Sequence, residues 1–129
     1  MRVELLYDAS CVKKGDNTTV NMLMNAERTG GALTVFLEGE LDHHSAAPVR
    51  AQIDALLSDG NITELTLDMR AVTFMDSSGL GVVLGRYRIM SGRNGKMYIG
   101  GASKYVQRIL KMAGVYSIVG RKEEADNDR

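Results

Sequence analysis

The period of the apolar residues changes repeatedly along this chain, and that change restricts the fold more than any single motif. Leu33, Val35 and Leu37 alternate with Thr34, Phe36 and Glu38, the two-residue repeat of a half-buried strand. Val49, Ile53, Leu56 and Leu57 then fall at i, i+4, i+7 and i+8, one stripe of a helix. Leu65, Leu67 and Met69 return to period two. Leu80, Val83, Leu84 and Tyr87 form a second helical face, residues 97–100 a short strand, and Val106, Ile109, Leu110 and Ala113 a third helical face. Upstream, Val20, Met22 and Met24 alternate within residues 18–25, and Thr29, Gly30 and Gly31 supply a turn into the next strand, so a hairpin opens the unit. Strand–helix–strand units force parallel pairing with right-handed crossovers. The expected fold class is therefore α/β, a mixed sheet with helices packed against it.

Local signals punctuate this order. Ser45 can cap the first helix, and Pro48 is tolerated because first-turn amides have no intrahelical partner. Gly60 is a natural stop. Asp76, Ser77 and Ser78 open the second helix, and residues 91–95 end it. Ser103 caps the third helix, Gly114 stops it, and residues 117–119 predict a last short strand. Residues 1–12 alternate weakly through Val3, Leu5 and Tyr7 and predict a strand; residues 13–17 read as a loop. The expected division is an extension over residues 1–17, one domain over residues 18–120 and a polar tail over residues 121–129.

The chain of 129 residues is 44% hydrophobic and 25% charged, a composition that supports one packed core. Sixteen Lys+Arg balance sixteen Asp+Glu, so long-range charge gives no drive towards nucleic acid or a membrane surface. No apolar run reaches the length of a membrane span. Residues 1–10 lack a basic start followed by an apolar stretch, so no signal peptide is expected. Cys11, the single cysteine, has no internal disulfide partner, and a reducing cytoplasm is the expected compartment.

Two strand-to-helix junctions carry the chemistry. The first is Gly39-Glu40-Leu41-Asp42-His43-His44-Ser45, the second Phe74-Met75-Asp76-Ser77-Ser78-Gly79-Leu80-Gly81. Both follow strand C-termini, so parallel pairing puts them on one rim, where α/β sheets bind their ligands. A helix N-terminus has unpaired amides and about half a positive charge, so a serine in its first turn can accept phosphate without damage to the fold. The modification adds roughly −1.5 to −2 charge, and Asp76 beside it deepens the negative potential, so a partner matched to the hydroxyl would be repelled. The simpler reading, in which Asp-Ser-Ser is only an N-cap, stays open on position alone. Gly79, Gly81 and Gly85 each cost a helix about 1 kcal/mol relative to Ala. They predict close approach of a neighbouring element or a partner to that backbone.

Other chemistries fit poorly. Gly79, Gly81 and Gly85 are spaced one residue too widely for a dinucleotide fingerprint, and no Gly-Lys-Ser/Thr exists for a P-loop. Asp76 and Leu80 occupy the glycine places of a nucleophile elbow around Ser78, and no histidine follows it, so the pattern argues against a serine hydrolase. His43 and His44 are adjacent, whereas metal-binding pairs use wider spacing. No catalytic residue, cofactor or metal is expected. Most methionines read as core, but Met75 is expected to be exposed and useful in an interface.

The two junctions resemble the STAS domain family, shared by sulfate transporters and bacterial anti-sigma factor antagonists. The similarity is strongest to antagonists of the anti-sigma F type in the sporulation pathway. Gly39-Glu40-Leu41-Asp42-His43-His44 and the stretch from Phe74 through Gly79-Leu80-Gly81-Val82-Val83-Leu84-Gly85-Arg86-Tyr87 carry it, within a similarity over about residues 18–119. The resemblance implies a binding switch and not an enzyme. The unmodified form would bind an anti-sigma factor that is also a serine kinase and so free the sigma factor. Phosphorylation of Ser78 would end that binding, and a PP2C-type phosphatase would restore it. Met75, Asp76, Ser77, Ser78 and Gly79, with Asp42 from the first junction, would form the partner-binding surface, with no direct contact to nucleic acid or membrane. The alternative is a STAS regulatory module in another kinase/phosphatase partner-switching pathway, for stress or other signalling.

Overall fold

The computed structural model describes Tyr7–Asp8 and residues 22–122. The expectations for Val3, Leu5, Cys11, Val20, the 13–17 loop and residues 123–129 lie outside the described residues. In chain order the elements are β1 (Tyr7–Asp8), β2 (Met22–Thr29), β3 (Ala32–Leu41), α1 (Ala46–Leu57), β4 (Glu64–Met75), α2 (Ser77–Gly92), β5 (Lys96–Gly100), α3 (Lys104–Met112), a 3-10 turn (Val115–Ser117) and β6 (Gly120–Lys122). They build one six-stranded sheet in sequence order. β1, β2 and β3 pair antiparallel, and β3, β4, β5 and β6 pair parallel. This is the mixed α/β sheet expected from the alternating periods.

Each parallel crossover steps to the next strand in the same direction. With right-handed connections, that places α1, α2 and α3 on one face. The strand pleat supplies the matching apolar surface: Ala26, Val35, Leu67 and Ile99 lie side by side across β2 to β5, each at most 1% exposed. Val49, Ile53 and Leu57 of α1, Val82, Val83 and Met90 of α2, and Val106 and Leu110 of α3 close over them in one core. Cutting Leu67 to Ala there is expected to cost about 2–5 kcal/mol. The opposite face of the sheet carries Leu23, Phe36 and Asp68 around an open groove of about 310 Å³.

Several local expectations shift. The opening hairpin runs through Thr29 and turns on Gly30–Gly31 alone, with Gly30 at φ +60. α1 ends at Leu57, before Gly60, and Ser58 caps it through an Oγ hydrogen bond donated to the Ala55 carbonyl. The expected strand over residues 117–119 is replaced by the 3-10 turn, because Gly114 at φ +76 turns the chain sharply. The strand follows it as β6 and takes Arg121 and Lys122 from the expected tail. Lys122 is held there by an ion pair to Glu64. At the other end, Tyr7–Asp8 pairs with Met24 and Leu23, so part of the expected extension belongs to the sheet.

Candidate functional site

The rim is built where β3 and β4 end together, with Leu41 opposite Met75. Between Phe36 and that end, β4 fits two extra residues against β3, one bulge near Arg70 and one at Thr73. Bulges bend a strand and re-aim its side chains. Gly39, at φ +119, takes a backbone conformation that side-chain-bearing residues avoid, and its carbonyl accepts the Thr73 hydroxyl at 3.3 Å.

These bulges overturn one expectation. Met75 is 2% exposed and part of the core, while Phe74 is 38% exposed. Beyond Met69 the inward positions become Val72 and Met75, a spacing of three that strict alternation does not produce. The apolar side chain offered to solvent at this rim is therefore Phe74.

The first junction is closed by Asp42. Its Oδ1 accepts the amides of His44 at 2.9 Å and Ser45 at 3.1 Å. Ser45 does not cap α1 with its side chain. The hydroxyl instead donates to the Glu40 carbonyl at 2.7 Å and accepts the Asp42 amide at 3.0 Å, while the Asp42 carbonyl accepts the Ala46 amide at 2.9 Å. Asp42 thus does the work of the cap from three residues upstream.

The second junction follows the expected pattern more closely. Asp76 is the N-cap of α2 in extended conformation, and its Oδ1 accepts the amides of Ser78 at 2.8 Å and Gly79 at 3.2 Å. Its own amide donates to the Leu41 carbonyl at 3.4 Å, which ties the two junctions. Asp76 already occupies two first-turn amides, so the helix end offers a phosphate less compensation than the bare junction promises. Ser77 is exposed, Ser78 is half-buried, and no hydrogen bond holds either hydroxyl among the described residues.

The junctions meet in a recess of about 380 Å³ lined by Glu40, Asp42, His43, His44, Phe74 and Asp76. Three carboxylates and an exposed aromatic ring thus share one surface. His43 Nδ1 stands 3.9 Å from Asp76 Oδ2, and the two histidine rings are tilted 39° with centroids 4.0 Å apart. Ser77 and Ser78 sit on the first turn of α2 above Asp76 and are not walls of this recess. Gly79 is buried, and a Cβ there would fall 2.6 Å from the Leu41 carbonyl oxygen, so it fits the helix against the end of β3 and presents no surface to a partner. A Cβ at Gly81 or Gly85 would meet nothing within 4 Å, so both glycines face open space.

The fold has counterparts among known proteins. The sequence profile of the STAS domain matches residues 24–126. The chain belongs to the STAS-domain family. An anti-sigma F factor antagonist from Paenibacillus polymyxa is 38% identical over 78% of this chain and 86% of its own length. The anti-sigma factor antagonist SpoIIAA in its unphosphorylated form is 31% identical, with a TM-score of 0.60 over 69% of this chain and 82% of that one. The Bacillus cell fate determinant SpoIIAA in its phosphorylated form is 28% identical, with a TM-score of 0.65 over 81% of this chain and 95% of that one. Within the family this STAS domain is of the anti-sigma factor antagonist kind, and no described helix is long and apolar enough to cross a membrane.

Two features of this STAS domain escape sequence patterns. Phe74 is hidden by the bulges, which nothing in the alternation of β4 announces. Arg86 lies at 5% exposure between α2 and α1, its Nε 2.9 Å from Asp54 Oδ1 in an ion pair whose angles do not make a hydrogen bond. Burial pushes its pKa below the ordinary guanidinium value, and the Asp54 charge opposes that shift. The face expected from Leu80, Val83, Leu84 and Tyr87 includes Val83 but misses Arg86, because the buried stripe of α2 is centred on Val82, Val83, Arg86 and Met90. The signal was Arg86 standing three and four residues after Val83 and Val82.

Proposed function

We propose that this chain binds an anti-sigma factor that is also a serine kinase, and that phosphorylation of Ser78 switches the binding off. The supporting observation is the position of Ser78: its unengaged hydroxyl lies in the first turn of α2, beside Asp76 and the acidic recess. A phosphate there adds roughly −1.5 to −2 charge to a surface that already carries Glu40, Asp42 and Asp76. A partner fitted to the unmodified surface loses its match without any change of fold. Likeness to SpoIIAA in an unphosphorylated and a phosphorylated form supports the same cycle. Exposure alone favours Ser77, and the choice of Ser78 follows the match of the Asp-Ser-Ser-Gly motif. A PP2C-type phosphatase returns the protein to its binding form. The chain acts in the cytoplasm, by binding and not by catalysis.

The test is incubation with ATP and the cognate anti-sigma kinase, mass spectrometry to locate the phosphate, and titration calorimetry of both forms. The expected result is phosphate on Ser78 and a loss of affinity of about a hundredfold, ~2.8 kcal/mol at 1.4 kcal/mol per decade. Equal binding by the two forms, or phosphate on Ser77, defeats the reading.

A further inference from the structure

Arg86 is a buried cation that the switch itself does not use. It is 5% exposed and reaches from α2 to Asp54 of α1, where its Nε lies 2.9 Å from Oδ1. Neither Nε nor Nη1 makes a hydrogen bond among the described residues, and neither does Asp54 Oδ1. At these atoms the two helices are joined by charge alone. An apolar pair of similar volume in such a place is often as stable as the ion pair, or more so. What the ion pair adds is location. A buried cation drawn away from its counter-charge is left uncompensated. With the pair in place, α2 cannot slide or roll on α1 without a penalty that the contacts of Val49 and Ile53 with Val82 and Val83 would not impose.

That location matters most for the start of α2. Gly79, Gly81 and Gly85 fall in the first nine residues of a helix that runs Ser77–Gly92, and each weakens a helix relative to alanine. A Cβ at Gly81 or Gly85 would meet nothing within 4 Å, so these two glycines bring no close packing in return. The glycine-rich stretch begins at the Asp76 cap, whose amide is tied to the Leu41 carbonyl, and it ends at Arg86. At the far end, just past α2, Arg93 Nη2 donates to the carbonyl of Leu57, the last residue of α1, at 2.7 Å. Between α1 and α2 themselves, the described residues show no ion pair or hydrogen bond other than Arg86–Asp54. Ser78 stands eight residues before Arg86, about 12 Å along the axis.

We infer that Arg86 is a positioning residue for the switch: paired with Asp54, it anchors the glycine-rich start of α2 to α1 and so holds Ser78 in the one place that the kinase reads. The inference rests on the switch reading above. Arg86 is not a wall of the acidic recess, and it acts through the placement of the helix. Without the anchor, the start of α2 takes several placements on α1, of which the kinase matches one. The apparent affinity then falls by the competent fraction, while the step within the bound complex is unchanged.

The experiment compares the full chain with Arg86→Lys and with the double variant Arg86→Met/Asp54→Leu. Melting curves, amide relaxation dispersion and steady-state phosphorylation by the cognate anti-sigma kinase are measured for each. The double variant fills the site with apolar atoms, so it should melt close to the wild type. Amides of residues 77–85 should show exchange on the microsecond-to-millisecond scale, absent from the wild type and from β4 of the variant. The KM for this variant should rise about fivefold with kcat unchanged, as for a competent fraction of about one fifth. Arg86→Lys keeps the buried charge and should bring both readouts back towards the wild type. Wild-type KM and quiet amides in the double variant overturn the inference. A raised KM with quiet amides also overturns it, and makes the part-exposed Asp54 a direct kinase contact. Exchange spread over every element with a lower Tm overturns it in favour of general stability, and Arg86→Lys behaving like the double variant shows that charge is not the anchor. Failure of the kinase to place phosphate on Ser78 of the wild type defeats the switch reading instead, while the relaxation measurement, made without kinase, still tests the anchor.

Discussion

A Cβ added to Gly79 would fall 2.6 Å from the backbone carbonyl oxygen of Leu41. The same carbonyl accepts the Asp76 amide, so the N-terminus of α2 and the end of β3 meet backbone to backbone. No side-chain rotation relieves a clash with a main-chain oxygen, and Gly79→Ala should destabilise by about 1–3 kcal/mol. Gly81 faces open space, so Gly81→Ala should stabilise by about 1 kcal/mol through helix propensity alone. Chemical denaturation of both variants checks the contrast. If the gain at Gly81 comes with weaker binding of the anti-sigma factor, that glycine marks where the partner approaches.

Phe74 is the aromatic residue presented beside the acidic recess. Phe74 is 38% exposed and otherwise covered, so Phe74→Ala should lower folding stability by about 1–2 kcal/mol, less than a core truncation. An aromatic anchor at the centre of an interface often contributes strongly to binding as well. Titration of the anti-sigma factor against Phe74→Ala should show at least about a tenfold loss, ~1.4 kcal/mol. Met75→Ala should lower stability more, by about 2–5 kcal/mol, as a core truncation. Wild-type affinity in Phe74→Ala would remove that ring from the interface.

Asp59, in the loop after α1, has its pKa below the ordinary 3.8, chiefly through the hydrogen bond from Arg28, then that from the Asn61 amide. A carboxyl with a depressed pKa binds fewer protons in the folded state than in the unfolded one. It therefore stabilises the fold above the unfolded pKa, and the contribution disappears as pH falls through the folded value. Stability should decline on acidification below about pH 4, and Asp59→Asn should flatten that part of the profile. Urea melts of the two proteins between neutral pH and the acid limb provide the comparison.

Among the described residues, β1 adds the pairs Tyr7–Met24 and Asp8–Leu23 at the edge of the sheet. A chain starting at Asn17 loses them, and it should fold with the rest of the sheet intact. A wholly dispensable extension would leave stability nearly unchanged on this truncation. With a net gain of roughly 0.5–1.5 kcal/mol per hydrogen bond, the structure raises the expected loss to about 1 kcal/mol, or 4–8 °C in Tm. Differential scanning calorimetry of the truncated chain decides between the two values.

Alternation of Leu33, Val35 and Leu37 and of Leu65, Leu67 and Met69 was enough to place the central parallel pair, because those side chains face a single core with uniform pleat. The rim was legible to the extent that capping chemistry is local: Asp76 and Ser103 take the amides expected of them. It failed where geometry depends on the neighbouring strand. The bulges opposite Gly39 exchange Met75 for Phe74 at the surface, and a single-strand pattern cannot register a mismatch between two strands. Ser45 failed for a related reason. Asp42 reached its amide first and left the hydroxyl to bond back to Glu40.

The occupied cap also refines what phosphate on Ser78 should do. Asp76 Oδ1 holds the Ser78 and Gly79 amides, so the phosphate meets the helix end with a carboxylate already seated there. The helix dipole favours the phosphate, the carboxylate opposes it, and the net change in stability should stay within about 1 kcal/mol. Binding should respond much more strongly, because like charges juxtaposed at an interface cost several kcal/mol. Ser78→Ala keeps the surface neutral and should bind the anti-sigma factor permanently. Ser78→Asp brings one charge where phosphate brings nearly two, so its affinity should fall between the unmodified and phosphorylated forms. Ser77→Ala should still be phosphorylated. Asp42→Asn, chosen over Ala because an amide oxygen can still accept the His44 and Ser45 amides, should weaken kinase binding with little effect on melting. Calorimetric titration of each variant, read beside its melting curve, separates the two effects. Ser78→Asp binding as tightly as wild type would mean that charge at this position is not what the partner reads.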